Sequence, residues 1–149
     1  VSAVPAFISS LDAGVDHVQG SRYIPGGEGI NTPTMRHWGV RLIHAPLIAR
    51  TSGFKYTDTT NGFRGYSRQL LEHPAVQPFR DCFNDYELHY YLAIRAAELG
   101  MNVAEIPVAR RYPDKGRTPT KISPIRGNLA ILRALYRAVT HQFDPEDVT

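Results

Sequence analysis

The chain has 149 residues, 42% hydrophobic and 21% charged, with a formal net charge of +3. That length suits one domain burying about two-thirds of its unfolded surface, and the apolar fraction excludes a disordered chain. Its single cysteine, Cys82, excludes a disulfide framework and a cysteine-built zinc site and predicts a reducing compartment, while the lack of an 18-residue apolar run argues against a transmembrane helix.

Val4, Phe7, Ile8 and Leu11 recur at helical spacing within Val1 to Ala13, and Gly14 is the stop. The chain opens inside this periodic pattern, which predicts a further segment upstream. Val15 to Gln19 alternates as a short strand ending at Gly20-Ser21-Arg22. Pro25 to Gly29 is too rich in glycine for regular structure. A helix then starts at Pro33 with Thr32 as its cap; Trp38, Leu42 and Ile43 share one face, and Arg36 and Arg41 lie toward the other side. Pro46 is expected to bend or break this helix. Thr57 to Tyr66 is a polar turn entering a short strand, and Ser67 caps a brief helix to Glu72. After a proline-punctuated loop over His73 to Arg80, Asn84 or Asp85 caps a helix that runs to Leu99 and closes at Gly100. Asn102 to Ala109 reads as a strand, in which Pro107 predicts an edge position or a bulge. Arg110 to Pro124 is a basic loop. The last helix runs from Arg126 to about Gln142, with Leu129, Ile131, Leu132, Leu135, Tyr136 and Val139 set against Arg126, Arg133 and Arg137. Helices and strands alternate, so the class is α/β.

Of the 17 basic residues only Lys55, Lys115 and Lys121 are lysine; the others are arginine, whose planar fork grips phosphate or carboxylate bidentately. Their positions, rather than their number, bear on function. Gly20-Ser21-Arg22 reads first as an ordinary strand-to-loop turn, and otherwise as a ligand site at a strand's carboxyl end. Thr57 to Tyr66 crowds Asp58, Asn61 and Arg64 together with hydroxyls, more polar groups than a turn requires. Asp58 is a catalytic candidate that accepts a proton or binds a hydroxyl and Arg64 holds a phosphate, or else the segment is a polar turn with Asp58 satisfied by neighbouring amides. Asp85 and Glu87 at a helix start are either complements to the helix dipole or a general base and its orienter. The loop from Arg110 to Ser123 mixes five basic side chains with Gly, Pro and hydroxyls, which suits a phosphate or diphosphate. The six histidines show no metal-ligand spacing.

Taken in order, these blocks resemble the C-terminal half of family 2 glycosyltransferases, and most nearly the dolichyl- or polyprenyl-phosphate sugar synthases. The blocks are Gly-Ser-Arg-Tyr at 20–23, Thr-Asn-Gly-Phe-Arg-Gly-Tyr at 60–66, Asp-Tyr-Glu at 85–87, Arg-Ala-Ala-Glu-Leu-Gly at 95–100, Val-Ala-Glu-Ile-Pro-Val at 103–108, and a basic loop ending at Thr120-Lys121. The resemblance implies the second half of a GT-A, Rossmann-like fold, a mixed sheet flanked by helices, in one domain over 1–149. The nucleotide-binding N-terminal half, with its Asp-x-Asp motif, is missing from it, so the chain alone is expected to be inactive. The family implies an inverting transfer from a nucleotide-diphosphate sugar to a polyprenyl or dolichyl phosphate, with Mg or Mn as cofactor. It places Arg22 near the sugar or acceptor phosphate, and Asp58, Asn61 and Arg64 in the acceptor and sugar pocket. Asp85 and Glu87 fall at the acidic catalytic motif, while Arg111, Arg117 and Lys121 fall in the loop over the diphosphate. That loop is longer here than the family's Gly-x-Ser-Lys.

A lipid-phosphate acceptor implies a cytoplasmic protein peripheral to the inner face of a membrane. The apolar stripes of the helices from Pro33 and Arg126 suit an interfacial helix, although core packing explains them as well. A homo-oligomer is compatible with this reading. The alternative function is a non-catalytic domain binding an anion or lipid phosphate. A nucleic-acid-binding module is disfavoured, because the acids are spread through the rest of the chain and no binding motif appears.

Overall fold

The computed structural model describes residues 3–113 and 126–145. Helix α1 (Val4–Asp12) takes Pro5 in its first turn and is closed by Gly14, whose φ of +90° suits glycine. Strand β1 (His17–Ser21) is the centre of a three-stranded mixed sheet. It pairs antiparallel with β3 (Arg64–Tyr66) and parallel with β4 (Val103–Pro107), with His17 opposite both Tyr66 and Val103. Pro107 lies at the end of β4, an outer strand of this sheet, as its missing N–H requires.

The glycine-rich loop gives a first departure from the sequence reading. Its end forms β2 (Glu28–Ile30), which pairs in parallel with β5 (Ala109–Arg111) as a separate two-stranded sheet. Gly27 makes this possible: a Cβ there would lie 2.5 Å from the Ser21 carbonyl oxygen and 2.9 Å from the Arg22 carbonyl carbon. The loop therefore folds tightly back over the end of β1 and delivers 28–30 to a partner that no local pattern announces.

Helix α2 (Thr34–Gly39) has no side-chain cap; Pro33 occupies the cap position and Thr32 bonds none of the first amides. Pro46 does not break the helix. A π-helical turn over Val40–His44 leads without interruption into α3 (Ala45–Ser52), which takes Pro46 in its first turn. Widening the ladder by one residue accommodates the missing N–H and the bulk of the ring. Val40, His44, Ala45 and Ile48 turn inward, whereas Met35, Trp38, Leu42, Ile43 and Leu47 are exposed. The stripe that core packing explained thus faces outward.

Ser67 caps α4 (Arg68–Glu72), accepting from Leu70 N at 3.1 Å. Neither Asn84 nor Asp85 caps α5 (Glu87–Glu98). The Asn84 amide donates to the Asp81 carbonyl, and Glu87 in the first turn accepts from the Asp85 amide at 2.8 Å. Helix α6 (Arg126–Val139) places Ala134, Leu135 and Ala138 in the core and leaves Leu129, Leu132 and Tyr136 exposed.

The main core gathers around α5, where Leu92, Ala93 and Ile94 meet Ile48, Leu70, Val76, Leu135 and Phe143. A smaller cluster of Phe7, Val18 and Val108 packs α1 against β1. Helices therefore cover both faces of the sheet, and β1 lies completely buried between them.

Candidate functional site

A strand buried on both faces is ordinarily apolar, yet β1 reads His-Val-Gln-Gly-Ser. Val18 packs toward α1, and Gly20 leaves room for the Phe63 carbonyl, which would stand 2.8 Å from an added Cβ. His17, Gln19 and Ser21 alternate with them, and each bonds into the segment from Tyr56 to Arg64. The His17 Nδ1 lies 2.9 Å from the Tyr56 hydroxyl, which donates to the Ala93 carbonyl of α5 at 2.8 Å. Nδ1 therefore carries the proton. Burial, and then the Arg64 charge, lower the His17 pKa to about 3, so the ring is neutral. Gln19 accepts from Arg64 Nε at 2.8 Å and donates to the Asn61 carbonyl at 3.1 Å.

Immediately after β1, Arg22 and Asp58 form a buried ion pair with side chains 1% and 0% exposed. The guanidinium donates from Nε to Oδ2 at 2.6 Å and from Nη2 to Oδ1 at 2.8 Å, and the Arg22 amide adds a bond to Oδ2 at 3.2 Å. Nη2 also reaches Thr60 Oγ1 at 3.1 Å, and Nη1 the Tyr112 hydroxyl at 3.0 Å. Burial opposes the charge of Arg22, but the bond and charge of Asp58 outweigh it and the pKa is raised. All three side-chain nitrogens of Arg22 are thus bonded to protein groups.

The accessible cations surround it. Arg36 of α2 donates to the Tyr112 hydroxyl at 3.2 Å and stacks over the same ring at 5.7 Å, and Arg110 of β5 stacks over it at 5.3 Å. Arg22 and Arg41 lie over Tyr23 at 5.2 and 5.9 Å. Burial would raise the Tyr112 pKa; the Arg36 hydrogen bond and the charges of Arg22, Arg36 and Arg110 bring it below the ordinary value. Four arginines thus lie on two tyrosines, with Asp58 the carboxylate bonded among them, and the exposed guanidinium forks can accept an oxyanion as partner.

Of the other residues singled out from sequence, Asn61 and Arg64 stand beside this cluster on the 57–64 segment. Arg64 Nη2 donates to the Thr59 carbonyl at 2.6 Å, and Arg64 makes no salt bridge among the described residues. Arg64 Nη1, Asn61 Nδ2 and Thr59 Oγ1 are buried without a protein partner. A cleft of about 390 Å³ beside the ends of β1 and β4 is lined by Asn61, Gly62, Phe63, Val108, Ala109 and Arg110. Asp85 and Glu87 line a different cleft, of about 320 Å³, facing Arg133 and Arg137 of α6. Arg111 is exposed on β5. Arg117 and Lys121 lie outside the described residues.

Sequence reasoning did not single out Arg36, Arg41, Tyr23 or Tyr112 as a group, nor Glu105. No local signal joins them, because α2, β1 and β5 meet through the tertiary fold. Among the described residues, the one cluster of three potential metal ligands is Glu98, His141 and Asp144. Arg95 already bridges its two carboxylates, 3.7 Å from Glu98 and 3.5 Å from Asp144.

No family model matches the chain. It is 31% identical over 134 residues to the dolichyl-phosphate hexose transferase of Haloferax volcanii, covering 90% of this chain and 54% of that one. It is 32% identical over 127 residues to the polyprenol monophosphomannose synthase of Mycolicibacterium smegmatis, covering 80% of this chain and 44% of the relative. Identity to the undecaprenyl-phosphate mannosyltransferase of Micrococcus luteus is 30% over 96 residues, 62% of this chain and 37% of that one. The chain thus spans about half the length of the curated relatives it matches.

Proposed function

The chain is a homologue of the family 2 glycosyltransferases, and from that premise we propose that it supplies the phosphate-gripping part of an enzyme that moves a sugar from a nucleotide-diphosphate sugar to a polyprenyl-type lipid phosphate. The observation that supports this reading is the cluster of Arg22, Arg36, Arg41 and Arg110 on Tyr23 and Tyr112. Arg22 is the internal post. Bonded to Asp58, it holds the Tyr112 hydroxyl, which in turn orients Arg36. Arg36, Arg41 and Arg110 then meet the oxygens of a diphosphate. Fixed cations aimed at a departing diphosphate stabilise charge as it develops, which is where an enzyme of this class gains most.

Asp58, a catalytic candidate from the sequence, serves this arrangement instead as the counter-ion of Arg22, since both its oxygens are taken and its side chain is buried. The open cleft at Asn61 and Arg110 is the sugar side of the site. Asp85 and Glu87, across their own cleft from Arg133 and Arg137, orient the acceptor; a phosphate acceptor is already ionised and needs no base to deprotonate it. Mg or Mn, which the family resemblance implies, finds no free carboxylates at the arginine cluster among the described residues. Asp58 is spent on Arg22, and Glu105 on the Thr57 and Asp58 amides. No described helix is long and apolar enough to cross a membrane. The exposed Met35, Trp38, Leu42, Ile43 and Leu47 beside Arg36, Arg41 and Arg50 fit a peripheral position at the cytoplasmic face of an anionic bilayer.

Calorimetric titration of pyrophosphate into the chain tests the phosphate grip. Binding that falls at least tenfold in the Arg36→Gln/Arg110→Gln double variant is expected. A wild-type chain that binds no pyrophosphate, or a double variant that binds as well, overturns it.

A further inference from the structure

Outside the arginine cluster, and bonded to none of its guanidinium groups, stands the carboxylate of Glu105. Glu105 lies on β4 opposite Gln19 of β1. Its Oε1 accepts two successive backbone amides, Thr57 N at 2.9 Å and Asp58 N at 3.1 Å, and its Oε2 accepts the Thr57 hydroxyl at 2.7 Å. Glu105 thus fixes the two amides that open the turn presenting Asp58, beside the contacts that Ser21 and Arg22 make with it.

The hydroxyl contact fixes a direction. Because the Thr57 hydrogen is given to Glu105, the Ser21 hydroxyl, 2.6 Å away, donates to Thr57 Oγ1. Ser21 Oγ in turn accepts the Tyr23 amide at 3.1 Å. A one-way chain of hydrogen bonds runs from the Tyr23 amide through Ser21 and Thr57 and ends on Glu105. The two branches reach both halves of the cluster. The amide branch sets Asp58, and through it Arg22, Tyr112 and Arg36; the hydroxyl branch sets Tyr23, the ring under Arg22 and Arg41.

We propose that Glu105 is the positioning residue of the oxyanion site, tying the Asp58–Arg22 pair and the Tyr23 backbone to the sheet. The proposal rests on reading the cluster as a phosphate grip. Placement by Glu105 has two consequences that simple packing does not. First, the amide branch is rescued by glutamine, whose carbonyl still accepts the Thr57 and Asp58 amides. Second, the hydroxyl branch reverses rather than breaks with glutamine: its NH2 donates to Thr57 Oγ1, the Thr57 hydrogen turns to Ser21 Oγ, and Ser21 Oγ keeps the Tyr23 amide on its other lone pair.

The experiment compares wild type, Glu105→Gln and Glu105→Ala for pyrophosphate affinity and for hydrogen exchange at the Arg22 Nε–H and the Tyr23 amide, observed by NMR. Glu105→Ala is expected to weaken pyrophosphate binding at least tenfold and to speed exchange at both N–H groups. Glu105→Gln should keep both N–H groups protected and affinity within about threefold. Arg22 exchange unchanged in Glu105→Ala overturns the proposal, as does a glutamine variant as damaged as the alanine one. If Glu105→Ala fails to fold, Thr57→Val cuts the hydroxyl branch alone, and unchanged Tyr23 exchange there overturns it equally. A wild-type chain that ignores pyrophosphate removes the phosphate reading, while the two exchange rates still decide what Glu105 does.

Discussion

Arg22 Nη1 donates to the Tyr112 hydroxyl at 3.0 Å, across 90 residues of chain. Arg36 donates to the same oxygen at 3.2 Å. An arginine only donates, so both lone pairs of the phenol oxygen are used and its own hydrogen is left pointing away from the two guanidinium groups. Three elements, β1, α2 and the end of β5, are thereby locked around one oxygen, with the accessible arginines arranged about it.

The pair beneath that oxygen is buried on both sides, so losing either partner strands the other. Asp58→Asn leaves the Arg22 charge buried without a counter-ion and is expected to cost about 3–5 kcal/mol. Arg22→Met combined with Asp58→Leu should recover most of that loss, since replacing both partners removes the stranded charge. Urea unfolding midpoints of the single and double variants check the difference.

Gly27 and Gly39 should respond in opposite directions. A Cβ on Gly27 meets the backbone of Ser21 and Arg22 at 2.5–3.1 Å, and Gly27→Ala is expected to destabilise the chain by about 3 kcal/mol. Nothing lies within 4 Å of a Cβ on Gly39, at the end of α2, and Gly39→Ala should gain up to about 1 kcal/mol from helix propensity. Thermal melts of the two variants against the parent chain decide it.

His17 makes stability depend on pH. Its folded pKa of about 3 lies below the ordinary value of 6.5, so the unfolded chain binds the proton first. This stability is present above 6.5 and is lost as pH falls toward 3, by about 2 kcal/mol between pH 7 and pH 5. His44, also lowered by burial, adds to the same slope. His17→Gln should flatten the curve by the His17 share, which unfolding at the two pH values in both proteins measures.

The apolar ridge on α2 and α3 predicts a surface effect separate from stability. Trp38 and Leu42 are 52% and 66% exposed, so Trp38→Ala/Leu42→Ser should leave the melting temperature within about 2 °C. Retention on vesicles containing anionic lipid is expected to fall several-fold in a flotation assay. Equal retention of the double variant removes this ridge from membrane contact.

Much of the local structure was legible, because it is decided within a few residues. Gly14 and Gly100 end helices through backbone conformations that glycine adopts freely, and Ser67 caps α4 with its own hydroxyl. Pro107 had to stand where its missing N–H costs nothing. The misread features share a cause, competition from elsewhere in the fold. Pro33 and Tyr86 take the cap positions in place of Thr32 and Asp85, Pro46 is absorbed by a π turn, and β2 exists because β5 arrives beside it.

By itself, the sequence determined the α/β class and the blocks that resemble a family 2 glycosyltransferase, and the mixed sheet was only what that resemblance implies. Periodicity, glycine stops and motif order are all properties of the linear chain. Only the tertiary structure decided what each charged residue is free to do. Arg22, the arginine that the motif itself presents, is consumed by Asp58, while Arg36, Arg41 and Arg110 are gathered around two tyrosines from three separate elements. An arginine's partner is set by distance through space, and in a fold whose central strand is polar and wholly buried, those distances arise only when the sheet, the helices and the 57–64 segment close together.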